Sequence, residues 1–359
     1  MSYACDRCIA RAWLLSRLGG HLERARTRIE ETLALSDEDL IAAVGGRNQE
    51  QVRSELRRAD PEKARRRTRS AGLELICRCD PRYPARLRDL ASPPAVLHVA
   101  GGLERFLELI EKDPVAIVGA RKGSSYGLEV ARALGRDLGR AGLTVLSGMA
   151  LGIDSAAHSG ALAADAPTVS VLPGPSDRPY PSGRAPLHRR IIATGAAISE
   201  LPPGASVWRW TFPARNRVIA GIAAMTVVVE AGGRSGALLT AAYAQAIGRP
   251  VGAVPGLVTS PHAAGSNRLL ARGAKLVTGA QEVLDHLFGA GVRKAVSEER
   301  SPLEPDQQRL LAAIADGHDT PAALARAGFP AEEGLARLAT LELAGYVRRG
   351  PGGRFTLVP

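Results

Sequence analysis

The chain has 359 residues, 45% of them hydrophobic and 23% charged, a composition typical of folded domains in a chain too long for one ordinary core. Its formal net charge of +11 favours a polyanionic partner through counterion release from phosphates, although an arginine-rich proteome would give the same balance. Aromatic residues make up only 4%, which argues against an extended base-stacking platform, and the longest uncharged apolar stretch, Val218–Val229, is too short for a membrane span.

The N-terminus, "MSYACDRCIARAWLL", carries charges where an export signal would be apolar, so a cytoplasmic location without a membrane is expected. Residues 1–72 read as an N-terminal helical domain of the SAM or helix-hairpin-helix kind, with apolar residues at i, i+3 and i+4. "SDEDL" has the form of a helix start and Gly45-Gly46 that of a stop. No chemistry is visible there, and such a bundle usually braces a neighbour.

From about 113 to 288 short β-branched runs alternate with helical stretches. "VAIVGA", "LTVLSG", "TVSVLPG", "AAISEL", "MTVVVEA", "VGAVPG" and "AKLVTG" are apolar throughout, as strands covered on both faces should be. The pattern predicts an α/β domain with a Rossmann-like, doubly wound, mostly parallel sheet, and with its lead-in the domain spans 73–288. A linker is expected over 289–304. Residues 305–359 give three helices and a hairpin turning at Pro351-Gly352-Gly353, the order of a winged-helix domain. Its third helix carries one arginine and three acids, so it suits a protein contact better than a DNA groove.

In open α/β sheets ligands meet the loops at the carboxyl ends of the strands. "GARKGSSYG" places Gly119, Arg121, Ser124 and Ser125 before a helix, an anion seat made of free N–H groups and the helix dipole. It is not a dinucleotide fingerprint, and the second strand ends in Ser147-Gly148 with no acid for a ribose; no Walker loop is present either. "IDSAAHSG" offers Asp154 and His158 as an acid–base pair or half a metal site or, preferably, as a helix cap and a packing imidazole. "YPSGRAPL" brings Tyr180 and Arg184, and "FPARNR" brings Phe212, Arg215, Asn216 and Arg217. "EAGGRSGALLT" repeats the first loop's logic with Gly233, Ser235, Gly236 and Thr240, and "GSNRLL" adds Asn267 at another helix start. Between 113 and 288, 17 lysines and arginines face 10 acids, so the loops favour phosphate, and several such loops could track a strand.

In order and spacing, "VAIVGARKGSSYG", "LTVLSGMALGIDSAAHSGAL", "FPARNRVIAG", "VVVEAGGRSGALLTA" and "GRPVGAVPG" followed by "GSNRLLARGA" resemble the DNA-processing protein A family (DprA, also called Smf). The resemblance covers 73–288, and both flanking domains fit the same architecture. It implies a non-enzymatic homodimer that binds and protects single-stranded DNA and helps load the RecA recombinase in natural transformation. It also implies that Arg121 takes a DNA phosphate in a pocket shaped by "FPARNR". One position departs from the family pattern: Arg184 stands where asparagine is usual and Ala185 near the basic site, so this contact is either shifted or weakened. The resemblance assigns Arg215 and Arg217 to backbone phosphates; the competing reading has one of them tie the segment to Glu200 or Glu230.

Two rival functions remain open: a nucleotide-phosphoribohydrolase-like enzyme, for which Glu230 is the obvious acid, and an interaction scaffold working through its winged helix. No cofactor is required by any of these readings. Cys5-x-x-Cys8 and Cys77-x-Cys79 account for every cysteine. They are either free thiols or the four ligands of a structural zinc ion.

Overall fold

The computed structural model describes residues 4–295 and 303–358; residues 296–302 of the expected linker lie outside the described residues. Short helices open the chain: α1 (Asp6–Arg17), α2 (Gly19–Leu22), α3 (Ile29–Ala34), α4 (Asp37–Val44), α5 (Gln49–Arg57) and α6 (Pro61–Ser70). Ser36 caps α4 by accepting from the Asp39 N–H at 3.2 Å, and Asp60 caps α6 by accepting from the Lys63 N–H at 3.0 Å. Their inward leucines and isoleucines share one apolar core with Leu201, Trp210 and Ala214 of the next domain. Trp210 is buried; its indole N–H donates to the Gly19 carbonyl at 2.7 Å and its backbone N–H to Glu23 at 3.1 Å. The helices therefore brace the segment that leads into Phe212.

The second domain opens with β1 (Glu74–Cys77) and β2 (Val96–Ala100), an antiparallel pair that the sequence pattern did not reveal, followed by α7 (Leu103–Glu111). The seven expected strands then appear in turn: β3 (Val115–Val118), β4 (Val145–Ser147), β5 (Thr168–Val171), β6 (Ala196–Ser199), β7 (Met225–Val228), β8 (Val251–Ala253) and β9 (Lys275–Leu276). Between and after them lie α8 (Ser125–Arg140), α9 (Ile153–Ala163), α10 (Ala185–Thr194), α11 (Thr211–Ile222), α12 (Gly236–Ala246), α13 (Ala264–Ala271) and α14 (Ala280–Phe288). The nine strands stand in the order β1-β2-β6-β5-β4-β3-β7-β8-β9, parallel from β6 to β9. Within β3, Ala116 and Val118 pack on one face with α7, α11 and α12, while Val115 and Ile117 pack on the other with α8, α9 and α14. That is the doubly wound sheet the apolar runs imply.

The order also fixes where a ligand can sit. The chain steps outward from β3 through β4 and β5 to β6, then returns to the opposite side of β3 with β7. The β3–β7 seam is thus the switch point, where the connections leaving the strand ends part to opposite sides and open a crevice.

Two histidines are buried in this domain without a carboxylate partner. Burial lowers the pKa of His98 to about 4 and that of His158 to about 3, so both imidazoles are neutral in the folded chain. Unfolding returns them to ordinary titration near pH 6.5, and below that pH the unfolded chain binds more protons. Their contribution is complete above about pH 6.5 and is lost as the pH falls through the folded values. The thermal unfolding midpoint is expected to drop steadily from about pH 6.5 to 4, with His98 alone accounting for on the order of 3 kcal/mol. A His98→Asn variant should show a flatter profile, and a wild-type midpoint indifferent to this pH range would refute neutral burial.

The last domain comprises α15 (Pro305–Ala315), α16 (Pro321–Arg326), α17 (Ala331–Leu343) and the antiparallel hairpin β10 (Val347–Arg349) and β11 (Phe355–Leu357) around its own core of Leu310, Leu324, Leu338, Leu341 and Phe355. The hairpin turns at Pro351–Gly353, with Gly352 at φ 74° and Gly353 at φ 71°, values that favour glycine. Among the described residues, no helix is long and apolar enough to cross a membrane.

Candidate nucleic-acid interface

A cavity of about 500 Å³ opens at the switch point. The turn after β3 supplies Gly119 and Arg121, the glycine-rich loop after β7 supplies Gly233 and Ser235, and the start of α12 supplies Gly236 and Thr240. Phe212, Arg215 and Asn216 reach it from the first turns of α11. "FPARNR" is therefore helical, and Phe212, Arg215 and Asn216 enter the crevice from a helix instead of a strand-end loop. The turn after β3 is pinned on both sides: the Ala120 N–H donates to the Glu230 carbonyl at 2.7 Å, and the Ile153 N–H donates to the Ala120 carbonyl at 3.2 Å. Pinning that turn projects Arg121 into the open. Its guanidinium lies 4.8 Å from the centre of the Phe212 ring, which packs at a steep angle on Tyr180 with the ring centres 5.5 Å apart. No carboxylate pairs with Arg121 among the described residues, so its charge faces the cavity.

Arg215 forms the cavity's inner wall. One of its terminal nitrogens donates to the carbonyls of Gly148 and Val171, both at 2.6 Å, and its Nε donates to Asn216 at 3.1 Å. A β-carbon on Gly148, which follows β4, would overlap this guanidinium, which accounts for glycine at that position. Burial lowers the Arg215 pKa to about 10, with nearby Asp154 opposing the shift and Arg121 adding to it. It stays charged at neutral pH, with the Asp154 carboxylate lining the same cavity beside it. Asn216 in turn donates to the Gly236 carbonyl at 3.2 Å, tying α11 to the start of α12. Ser235 caps α12 by accepting from the Ala237 N–H at 3.3 Å, and the helix turns its positive N-terminal end toward the cavity.

Several expected ligand residues lie elsewhere. The anion seat at the start of α8 is filled from within: Ser124 donates to Glu230 through its hydroxyl at 2.6 Å and its backbone N–H at 2.8 Å. Gly127 has no side chain because a β-carbon there would strike that carboxylate. Ser124 is therefore a cap and a clamp, and Glu230, the acid an enzyme would need, is buried in this clamp. Ser147 is buried and donates to the Ile117 carbonyl at 2.6 Å. Asn267 locks the Gly256 loop, accepting from the Gly256 N–H at 3.1 Å and donating to its carbonyl at 2.9 Å. Arg184 stands before α10, outside the cavity lining, with its Nε buried and unpartnered.

Arg217 shows the largest departure from a phosphate role. It is fully buried and donates to Glu200 at 2.6 Å, while its Nε and Nη1 have no hydrogen-bond partner. Spacing explains this: two residues along a helix turn a side chain through about 200°, so Arg215 and Arg217 cannot share one face. Asp154 is not the helix cap either. Gly152 at φ 80° holds that position, and the Asp154 carboxylate reaches back to the N–H groups of Gly148 and Ala150 at 3.2 and 3.4 Å. His158 is fully buried against the Thr168 hydroxyl at 2.8 Å, which leaves no acid–base pair in the cavity.

Two cations at this rim escaped the sequence reading. Arg234 is exposed in the loop after β7 and lines the cavity, and the Arg268 guanidinium of α13 lies 3.0 Å from where a β-carbon on Gly233 would be. Both stand in or beside glycine-bearing segments that follow strands, the same signal that singles out Arg121.

Comparison with known proteins places this geometry. A family model described as DNA recombination-mediator protein A matches residues 74–288, and one described as DprA winged helix domain matches residues 295–353. The protein Smf of Escherichia coli is 36% identical over 281 residues, covering 76% of this chain and 74% of its own. A putative DNA processing protein DprA of Mycobacterium tuberculosis is 44% identical over 207 residues, but the match covers 58% of this chain and 53% of the relative, about half its length. The crystal structure of DNA processing protein A from Streptococcus pneumoniae superposes with a TM-score of 0.64 at 30% identity, covering 78% of this chain and 96% of that one. A structure describing the single-stranded DNA binding mode of DNA processing protein A from Helicobacter pylori gives 0.52 at 27% identity, covering 57% and 92%.

Proposed function

Because the chain belongs to the DNA recombination-mediator protein A family, we propose that it binds single-stranded DNA, protects it, and helps load the RecA recombinase during recombination or natural transformation. The observation that carries the reading is the switch-point cavity, where Arg121 stands open, Arg215 forms the inner wall and α12 turns its positive N-terminal end toward the ligand. These groups recognise a phosphate and not a base edge, so the binding is sequence-tolerant. Arg234 and Arg268 extend the positive rim toward α13, giving a strand a path over more than one phosphate. The reading is supported further by the Helicobacter pylori relative, described as a single-strand binder. The protein acts without catalysis in this reading, since Glu230 is engaged by Ser124 and His158 by Thr168. A homodimer through the α/β domain is part of the same proposal; exposed Leu257, Val258 and Leu276 on the β8–β9 side would supply its apolar contact.

Binding of a labelled oligothymidylate, titrated at several salt concentrations, tests this. The expected result is a linear fall of log K with log salt, with a slope of about 0.7 per phosphate neutralised, and equal affinity for mixed sequences. Binding indifferent to salt would overturn the reading, as would release of free base from a nucleoside monophosphate.

A further inference from the structure

The four cysteines take no part in the cavity, yet the fold brings them together from opposite ends of a 72-residue separation. Cys5 stands at the N-cap of α1 and Cys8 in its first turn; Cys77 ends β1 and Cys79 follows in the turn after it. All four sulfur atoms lie within 4.8 Å of one another, and those of Cys8 and Cys79 are 3.7 Å apart. A disulfide would need about 2.05 Å. Four sulfurs each about 2.3 Å from a central zinc ion are about 3.8 Å apart along the tetrahedron's edges, close to the Cys8–Cys79 separation. We propose that Cys5, Cys8, Cys77 and Cys79 hold one structural zinc ion that clips the start of α1 to the end of β1.

The surroundings suit such an ion. The Cys5 backbone N–H points at the Cys77 sulfur at 3.4 Å, the kind of outer contact that orients a thiolate ligand. The Arg7 guanidinium lies 4.0 Å from the Cys79 sulfur, and the positive end of α1 faces Cys5 and Cys8, so both offset the negative charge of a four-thiolate site. The close Cys-x-Cys spacing is accommodated because the chain turns at once after β1, the Asp80 N–H donating to the Cys77 carbonyl at 2.9 Å, which lets both sulfurs reach one point. Beneath the sulfurs, Ala4, Ile9, Ala12, Leu75, Ala95 and Val96 form a small apolar cluster with Cys8 and Cys77. Few apolar residues join α1 to the sheet at this end, and a metal clip supplies what that cluster lacks.

The full-length protein, expressed with zinc in the medium and purified without chelator, is the material for the test. Elemental analysis should find about one zinc per chain, with the thiols unreactive toward a disulfide reagent until a mercurial releases the metal. Cobalt substitution should give the intense red-region absorption of tetrahedral cobalt bound by thiolates. Removal of zinc should lower the unfolding midpoint by roughly 5–10 °C, and Cys8→Ser should lose the metal. Zinc far below one per chain with four freely reactive thiols would overturn the proposal, and so would a Cys8–Cys79 disulfide in the untreated protein. None of these readings needs DNA, so they stand or fall apart from the single-strand binding assay.

Discussion

Replacing Arg121 with alanine is expected to weaken single-strand binding about 10- to 100-fold, as when one or two charge-assisted hydrogen bonds to phosphate are removed. The salt dependence should shrink by about 0.7 in slope for each phosphate that is no longer neutralised. Stability should change by no more than about 0.5 kcal/mol, because the side chain is exposed and pairs with no carboxylate among the described residues. Arg121→Lys should recover only part of the affinity. It keeps the charge but loses the flat guanidinium lying over Phe212, which orients the group toward the cavity. Filter binding and anisotropy of a labelled oligonucleotide measure both quantities. An Arg121→Ala protein with wild-type affinity and slope would remove the switch-point cavity from consideration as the DNA seat.

Glu200→Ala is expected to have the largest effect on stability. Arg217 would be left fully buried with no acceptor for the one nitrogen that now has a partner, and stranding a buried charge costs about 3–5 kcal/mol. The thermal midpoint should fall by roughly 10 °C. Replacing both partners, Arg217→Met with Glu200→Leu, should recover most of that loss, since an apolar pair of similar size needs no desolvation of charge. Measured well below its transition, the double variant should bind single strands with the wild-type salt slope. A slope reduced by one phosphate would mean that Arg217 leaves Glu200 to meet the DNA, contrary to the geometry of α11. The pair of experiments therefore separates an arginine that supports the wall of the site from one that faces the ligand.

Much of the architecture is legible in the sequence. Uninterrupted runs such as "VAIVGA" and "MTVVVEA" can only be satisfied by strands covered on both faces, and helical stretches between them force parallel crossovers. The glycines after those strands mark the loops at the ligand edge, so Gly119, Arg121, Gly233, Ser235 and Gly236 were found by local chemistry alone, and the structure gathers them at one cavity. β1 and β2 do not stand out because they lie in the lead-in, pair antiparallel and have no crossover helix between them, so they fall outside the strand–helix alternation that marks the other seven.

The sequence by itself determined the doubly wound sheet and the winged helix, because hydrophobic periodicity and strand-end glycines are local properties of the chain, while the family rested on the resemblance of its motifs. Only the tertiary structure decided which charges remain available. Arg121, Arg215 and Arg217 look alike as letters, yet one opens to solvent, one is held by two carbonyls, and one is closed against Glu200. Likewise the anion seat at α8 reads as vacant until β7 places Glu230 beside Ser124. Such pairings depend on partners separated by tens to a hundred residues, which spacing along the chain does not encode, and a buried cation must take the nearest acceptor because leaving it bare in a low-dielectric interior is too costly.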